Sequence, residues 1–387
     1  MMAARQSDPR AMPPAAPGVD LFCRVIDNYG DIGVCWRLAC CLHHDHGCPV
    51  RLWVDDLRAF QHLCRAIDPG LSTQIHAGIE VIHWSGSTPD LEPHEMVIEA
   101  FACDPPSHHI ARMPGHSKLW LNLEYLATEE WAAGCHGMES PQPDGQRKFF
   151  FFPGFLPGTG GVLREQTLTQ QRQDWQSNPA QVRRWLAGLL PHDETARALI
   201  EQPQLQIVTL FCYPDAPVAE LLQALGRLPG QMLLLVPERV MLPALPGAMA
   251  SNLHLARIPF LPQPEYDRLL WSADLNLVRG EDSFVRALLA GQPMLWQAYR
   301  QDDEAHLAKV EGWLRQTRAP ETIRQAWLAW NRPADTGTVD LLEQGLRCAN
   351  RARWHTFFQD FSTYLDGQHD LASALLAFYY KQTGLSG

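Results

Sequence analysis

The sequence contains no run of eighteen apolar residues, so it offers no candidate membrane-spanning helix. It also lacks an excess of positive charge. Lys and Arg number 32 against 43 Asp and Glu, a net charge of −11. Nucleic-acid phosphates select basic surfaces, so no nucleic-acid partner is expected. A docking partner would bring positive charge or read a local patch. There are ten cysteines but no Cys-x-x-Cys; Cys40 and Cys41 are adjacent and the rest are scattered. That usage suits free thiols in a reducing cytosol better than a disulfide framework, and predicts a cytoplasmic protein. No Walker A loop and no Gly-x-Gly-x-x-Gly occurs. Residues 1–19 hold four prolines and no apolar h-region, which reads as a loose tail and not as a signal peptide.

What is present is enough for two sizeable cores: 387 residues, 46% hydrophobic and 19% charged. Short apolar runs at 19–26, 50–54, 79–84, 96–103 and 118–123 alternate with helical patterns such as 34–44 and 57–67. Several runs lack strict alternation, as strands covered on both faces do. The rhythm predicts a parallel, doubly wound sheet. Between 140 and 161 proline and glycine punctuate the chain, which predicts a long loop whose four phenylalanines pin it onto the first domain. Strand patterns resume at 205–214, 231–238, 253–262, 275–280 and 293–299. Helical patterns at 218–227, 265–272 and 283–290 lie between them, predicting a second domain of the same kind. Beyond residue 301 the chain reads as helical, with Trp327, Trp330, Trp354, Phe357, Phe358 and Phe361 as core aromatics. Two such domains leave a cleft at the C-terminal strand ends, where open α/β sheets bind ligands.

Three stretches carry candidate chemistry. The first is "VIDNYGDIGVCW" (25–36), where Asp27, Asn28, Tyr29, Gly30, Asp31 and Gly33 join a buried strand to a helix. Asp31 has two readings: the N-cap of a helix beginning at Ile32, or one of a pair of carboxylates, with Asp27, that embraces a guanidinium. A cap needs no second aspartate, so the pair is better explained as a site. The second is "RGEDS" (279–283), where a helix opens at Asp282 or Ser283 on the edge of a strand. Either residue can cap the helix; the same N-terminus, with Gly280 allowing close approach and Arg279 supplying charge, also suits a pyrophosphate. The third is "PFLPQPEY" (259–266): Phe260 and Tyr266 are packing residues of a Pro-rich turn or a stacking surface for a base, with Gln263 as edge partner. "CCLHHDHGC" (40–48) lacks the paired spacing of a structural zinc site and reads as a polar helix end. "PGTGG" (157–161) does not sit between a clear strand and helix.

Residues 266–296 resemble the donor-binding signature of glycosyltransferases of the GT-B fold, with Arg286 in place of the helix glutamate that often contacts ribose. "FCRVIDNYGDIGVCWRLA", "LNLEYLATEEW", "FFFPGFLPGTGGVLRE" and "RGEDSFVRALLAGQP", in that order, resemble the EarP family, the arginine rhamnosyltransferases of elongation factor P. The resemblance implies an α/β protein of the GT-B class. Two Rossmann-like domains would face each other across a cleft, with C-terminal helices packing back toward the first. The expected bounds are a flexible tail over 1–19, an acceptor-side domain over 20–165 completed by a helix at about 355–387, and a nucleotide-sugar domain over 180–350. It further implies an inverting enzyme that moves L-rhamnose from dTDP-β-L-rhamnose to one arginine of elongation factor P. Asp27, Asp31 and Glu281 match the family's catalytic carboxylates; Phe260, Gln263 and Tyr266 match its thymidine pocket, and Tyr213 a further donor contact. A protonated guanidinium is a poor nucleophile, so Asp31 with Asp27 would orient it and accept its proton. Arg279, Ser283 and the helix N-terminus would stabilise the leaving dTDP, and no cofactor or metal is expected; the chain has no Asp-x-Asp. Glu281 would be repelled by a pyrophosphate and is expected to face a sugar hydroxyl or the acceptor. Two other readings remain: a GT-B enzyme with another sugar nucleotide and a small-molecule acceptor, or a non-catalytic protein that binds nucleotide sugars or elongation factor P.

Overall fold

Two separate sheets account for the two apolar rhythms. The computed structural model describes residues 16–26, 29–85, 89–142, 145–242, 249–300 and 304–385. The first sheet holds β1 (Val19–Cys23), β2 (Val50–Val54), β3 (Thr73–His76), β4 (Ile79–His83), β5 (Met96–Ala100), β6 (Leu119–Leu123), β7 (Glu139–Pro141) and β8 (Arg147–Phe151). Their order is β3-β4-β2-β1-β5-β6-β8-β7, parallel except for the antiparallel β3/β4 and β7/β8 pairs at the edges. The second sheet holds β9 (Gln206–Leu210), β10 (Met232–Pro237), β11 (Leu253–Ile258), β12 (Leu275–Arg279) and β13 (Met294–Gln297), in the order β11-β10-β9-β12-β13. The second sheet is parallel throughout. Strand order reverses beside β1 in the first sheet and beside β9 in the second, which places a binding crevice at the C-terminal ends of β1, β9 and β12.

The run expected as a loop over 140–161 is in part a strand. β8 pairs parallel with β6, from Trp120 opposite Lys148 to Leu123 opposite Phe151. Phe149 and Phe151 turn inward and are buried, while Lys148 and Phe150, which alternate with them, lie on the other face. Four successive phenylalanines hide this alternation, because an outward Phe looks like an inward one. Phe149 and Phe151 join the first core through sheet pairing, while Phe152, with Phe150 against it, packs in a small separate cluster with Ala127 and Ala132.

The C-terminal helices divide. Helix Cys348–Asp366 gives Trp354, Phe358 and Leu365 to the core of the second domain, where Trp313 stacks on Trp327 at 4.6 Å. Helix Leu371–Thr383 gives Leu371, Leu375 and Tyr379 to the core of the first. The return to the first domain therefore starts at Leu371, one helix later than expected; there Leu371 N–H donates to the Val162 carbonyl at 2.9 Å. The tail expected over 1–19 lies outside the described residues up to 15. Ala16 to Gly18 run straight into β1, and Gly18 N–H donates to the Glu95 carboxylate at 2.9 Å.

Candidate active site

β12 delivers Arg279 to the cleft, and the chain then turns sharply into a helix. Gly280 makes that turn at φ +66°, in the left-handed region, and a Cβ there would stand 3.4 Å from the Tyr213 hydroxyl. Helix Asp282–Ala290 follows with no side chain capping its first amides. Neither Asp282 nor Ser283 acts as the cap, so the N-terminal N–H groups and the positive end of the helix are left for a ligand. The Arg279 guanidinium is sandwiched between Phe211 at 4.4 Å and Tyr213 at 4.6 Å, and donates to the Cys212 carbonyl at 3.0 Å. These contacts fix a cation beside the helix N-terminus.

Tyr213, Phe260, Gln263, Tyr266, Arg279, Gly280, Asp282 and Ser283 line one pocket with Glu281, and the first domain closes it with Tyr29, Gly30 and Gly33. Some of these side chains are already engaged. The Gln263 side-chain amide donates to the Gly33 carbonyl at 2.9 Å, so this proposed base partner bridges the domains. Tyr29 packs 5.6 Å from Phe260 and accepts from Arg239 at 2.9 Å, forming a rim over the same end of the pocket. The Tyr266 hydroxyl, by contrast, is buried beside Ser283 without a hydrogen bond, and burial pushes its pKa up, so it stays a neutral hydroxyl.

On the first-domain side of the pocket the helix starts at Gly30, preceded by Tyr29, and Asp31 sits in its first turn. Asp31 is therefore not the N-cap. Its Oδ2 accepts the N–H of Ile26 at 2.8 Å, tying the strand-to-helix loop back on itself, and its Oδ1 lies 3.4 Å from the Tyr125 hydroxyl. Only 2% of Asp31 meets solvent. Charge-assisted contacts to such a carboxylate are stronger than they would be in water. Asp27 and Asn28 lie outside the described residues.

Two sets of charges join the domains around this pocket. Arg37, on the helix that carries Asp31, is 4% exposed and meets Asp267 at 3.0 Å, Glu165 at 3.1 Å and Asp282 at 3.2 Å. Arg286 completes the cluster, reaching Asp267 and Glu165 at 2.7 Å each. Arg286 is thus a buried structural cation and does not face the pocket. Glu165, in the segment between the sheets, would have its pKa raised by burial alone, but Arg286 and Arg37 outweigh that and hold it at about 2. The second set centres on Glu281, which accepts Leu126 N–H at 2.8 Å and pairs with the Lys309 ammonium. Both carboxylate oxygens meet protein groups, whereas a sugar hydroxyl or the acceptor was the expected partner. "CCLHHDHGC" forms a helix end and a π turn, with His43 Nδ1 3.0 Å from the Cys48 carbonyl. Among the described residues no three His, Cys, Asp or Glu side chains cluster as metal ligands.

Sequence reasoning missed Phe211, Tyr125, Arg37, Glu165 and Lys309. Phe211 was within reach, since it precedes Tyr213 by two along an extended run and so shares its face. Arg37, Glu165 and Lys309 act across the domain interface, where no local pattern marks them, and Tyr125 meets Asp31 only once the first sheet has brought β1 and β6 close.

The family profile described as Elongation-Factor P (EF-P) rhamnosyltransferase EarP matches residues 19–380. A protein-arginine rhamnosyltransferase of Pseudomonas putida is 41% identical over 383 residues, covering 93% of this chain and 98% of that protein. One from Neisseria meningitidis serogroup B is 34% identical over 388 residues, covering 93% and 96%. A solved structure concerned with EarP-mediated arginine glycosylation of translation elongation factor EF-P is 29% identical with a TM-score of 0.63, covering 94% of this chain and 99% of that one. The apo UGT2 of Phytolacca americana, 10% identical with a TM-score of 0.50, shares the fold alone, with 95% and 100% covered. The fold is GT-B, and by the extent and identity of these matches the chain belongs to the EarP family of elongation-factor P rhamnosyltransferases.

Proposed function

We propose that this enzyme transfers L-rhamnose from dTDP-β-L-rhamnose to one arginine side chain of translation elongation factor P, in the cytoplasm and with inversion at the anomeric carbon. The observation that carries the reading is a single interdomain pocket. The second domain supplies an uncapped helix N-terminus with Arg279 fixed beside it, and the first domain supplies the loop that leads into Asp31. The diphosphate would sit on the helix N-terminus and Arg279, and the thymine against Phe260 and Tyr266. In the transfer, a guanidinium nitrogen forms the bond to the anomeric carbon and the bond from that carbon to the dTDP oxygen breaks. Asp31 takes the proton from the attacking nitrogen, and dTDP leaves with its charge met by Arg279 and the helix dipole, without a metal. Burial of Asp31 favours this role, because a guanidinium docked there meets a fixed carboxylate instead of bulk water.

The test is the intact mass of elongation factor P after incubation with this protein and dTDP-rhamnose. The expected result is a gain of one deoxyhexosyl residue on arginine. A gain with a different sugar nucleotide would keep the chemistry and replace the donor. Intact donor and acceptor after long incubation would reduce the protein to a binder.

A further inference from the structure

Glu281 stands where the donor helix begins, yet its carboxylate is aimed at the first domain. Oε2 accepts the N–H of Leu126 at 2.8 Å, and Oε1 meets the Lys309 ammonium. Lys309 belongs to helix Ala305–Gln316, which grips the same segment of the first domain a second time. The Thr128 hydroxyl donates to the Lys309 carbonyl at 2.9 Å, and Gly312 packs so closely that a Cβ there would come within 2.9 Å of the Thr128 carbonyl oxygen. The segment just after β6 is therefore clamped by the second domain. One residue before Leu126 is Tyr125. Its ring stacks on Phe101 at 4.3 Å, and its hydroxyl lies 3.4 Å from Asp31 Oδ1. Phe101 itself takes φ +58°, and Ala102 and Asp104 are also left-handed, so this platform is held in a backbone state that its surroundings must enforce.

A bare carboxylate at the mouth of a diphosphate pocket would repel the ligand. Pairing with Lys309 removes that objection and leaves Glu281 free to hold a backbone N–H. We propose that Lys309 and Tyr125 are positioning residues for the transfer: Lys309 keeps Glu281 aimed at Leu126, and this clamp sets Tyr125 against Asp31, so that the acceptor-side carboxylate is oriented only while the two domains are docked. The inference rests on the reading of Asp31 as the group that meets the acceptor. Neither Lys309 nor Tyr125 lines the donor pocket, so their loss should be felt in turnover more than in donor binding.

The test uses the full chain with Lys309→Met, Lys309→Arg, Tyr125→Phe, the Lys309→Met/Tyr125→Phe double variant and Asp31→Asn. It measures dTDP affinity by calorimetry, kcat by intact mass of elongation factor P, and folding by thermal midpoint. Lys309→Met is expected to lower kcat at least tenfold with dTDP affinity within about threefold of wild type, and Lys309→Arg to recover most of the rate. Tyr125→Phe should lower kcat about fivefold with an unchanged midpoint. Because the two residues act in one chain, the double variant should be little worse than Lys309→Met alone. Losses that multiply in the double variant would overturn the linkage. So would equal losses of affinity and rate in Lys309→Met, which would make the lysine a diphosphate ligand. If Lys309→Met fails to fold, wild-type kcat in Tyr125→Phe would overturn the proposal by itself. Asp31→Asn separates the two readings: if it keeps full turnover, the acceptor-side assignment fails first; if it is inactive while the other variants are normal, only this inference fails.

Discussion

In the proposed transfer Asp31 and Arg279 divide the chemistry between them, one to each domain, and each predicts a different loss. Asp31 does not line the pocket that holds Arg279, and its proposed work is on the acceptor. Asp31→Asn keeps the shape and the hydrogen bond from Ile26 but removes the charge and the proton acceptor. Turnover is expected to fall by roughly a hundredfold or more, the usual scale for a lost general base, with dTDP affinity within a few-fold. Calorimetry with dTDP beside a turnover assay separates the two quantities, and near-normal turnover would leave Asp31 as a loop tether. Arg279→Ala should do the reverse, weakening dTDP binding by about 1.5–3 kcal/mol for a lost charge-assisted contact. In the proposed mechanism Arg279 and the helix N-terminus meet the diphosphate charge, so chelation with EDTA should leave the rate unchanged; a loss restored by one metal would contradict that. Arg279, Gly280 and the helix opening were legible in the sequence because strand, turn and helix start follow each other within a few residues. The state of Asp31 was not: as a cap it would bond forward into its own helix, but it bonds back to Ile26, and no spacing rule distinguishes the two.

At the scale of elements, the turn between β12 and the donor helix sets the pocket. Gly280→Ala places a side chain at φ +66°, which costs about 1–2 kcal/mol for an L-residue, and brings its Cβ to 3.4 Å from the Tyr213 hydroxyl. The turn can relieve this only by moving Arg279 or the helix start, so dTDP affinity should drop several-fold while the unfolding midpoint changes little. Equal affinity would mean that the turn does not shape the anion site. Strands that pair in parallel inside either sheet were readable as apolar runs between helical patterns. β8 was not, because its run is flanked by proline and glycine and its phenylalanines show no alternation. β3 and β7 escaped as well: they are four and three residues long, lie at sheet edges and bury little. Helix Leu168–Gln176 is rich in Gln and gives no strong amphipathic signal, and helix Glu194–Ile200, at seven residues, is too short to show one.

For the whole molecule, the domain interface and the first core both carry acid-sensitive charges. Burial lowers the pKa of His109 from 6.5 to about 4, against a smaller opposing pull from Asp20. Its folded value is depressed, so its contribution is complete above 6.5 and is lost as pH falls through 4. Glu165, held at about 2 from an ordinary 4.5, contributes fully above 4.5 and is lost only as pH falls toward 2. The unfolding midpoint should therefore begin to fall below pH 6.5, and His109→Phe, which keeps the ring against Phe22 and Trp53, should flatten the upper part of that decline. An unchanged pH profile in the variant would remove His109 from the account. The same whole-molecule view governs the acceptor. Every exposed arginine has the same head group, so a carboxylate at the base of an interdomain cleft cannot tell one from another. Selection must come from contacts between the first domain and the fold around the target arginine. The first domain has material for this on its surface: Ile26, Tyr125 and Trp131 are 71%, 42% and 58% exposed, on the segments that follow β1 and β6. Efficient modification is thus expected of an intact elongation factor P domain, and poor modification of a short peptide carrying the same arginine. An acceptor with lysine in that place should fail, since one ammonium cannot present a planar fork to a carboxylate. Mass spectrometry of domain, peptide and lysine variant under one set of conditions decides it. Equal rates on peptide and domain would mean that the enzyme reads local sequence, and the exposed side chains around the Asp31 loop would then have no part in choosing the acceptor.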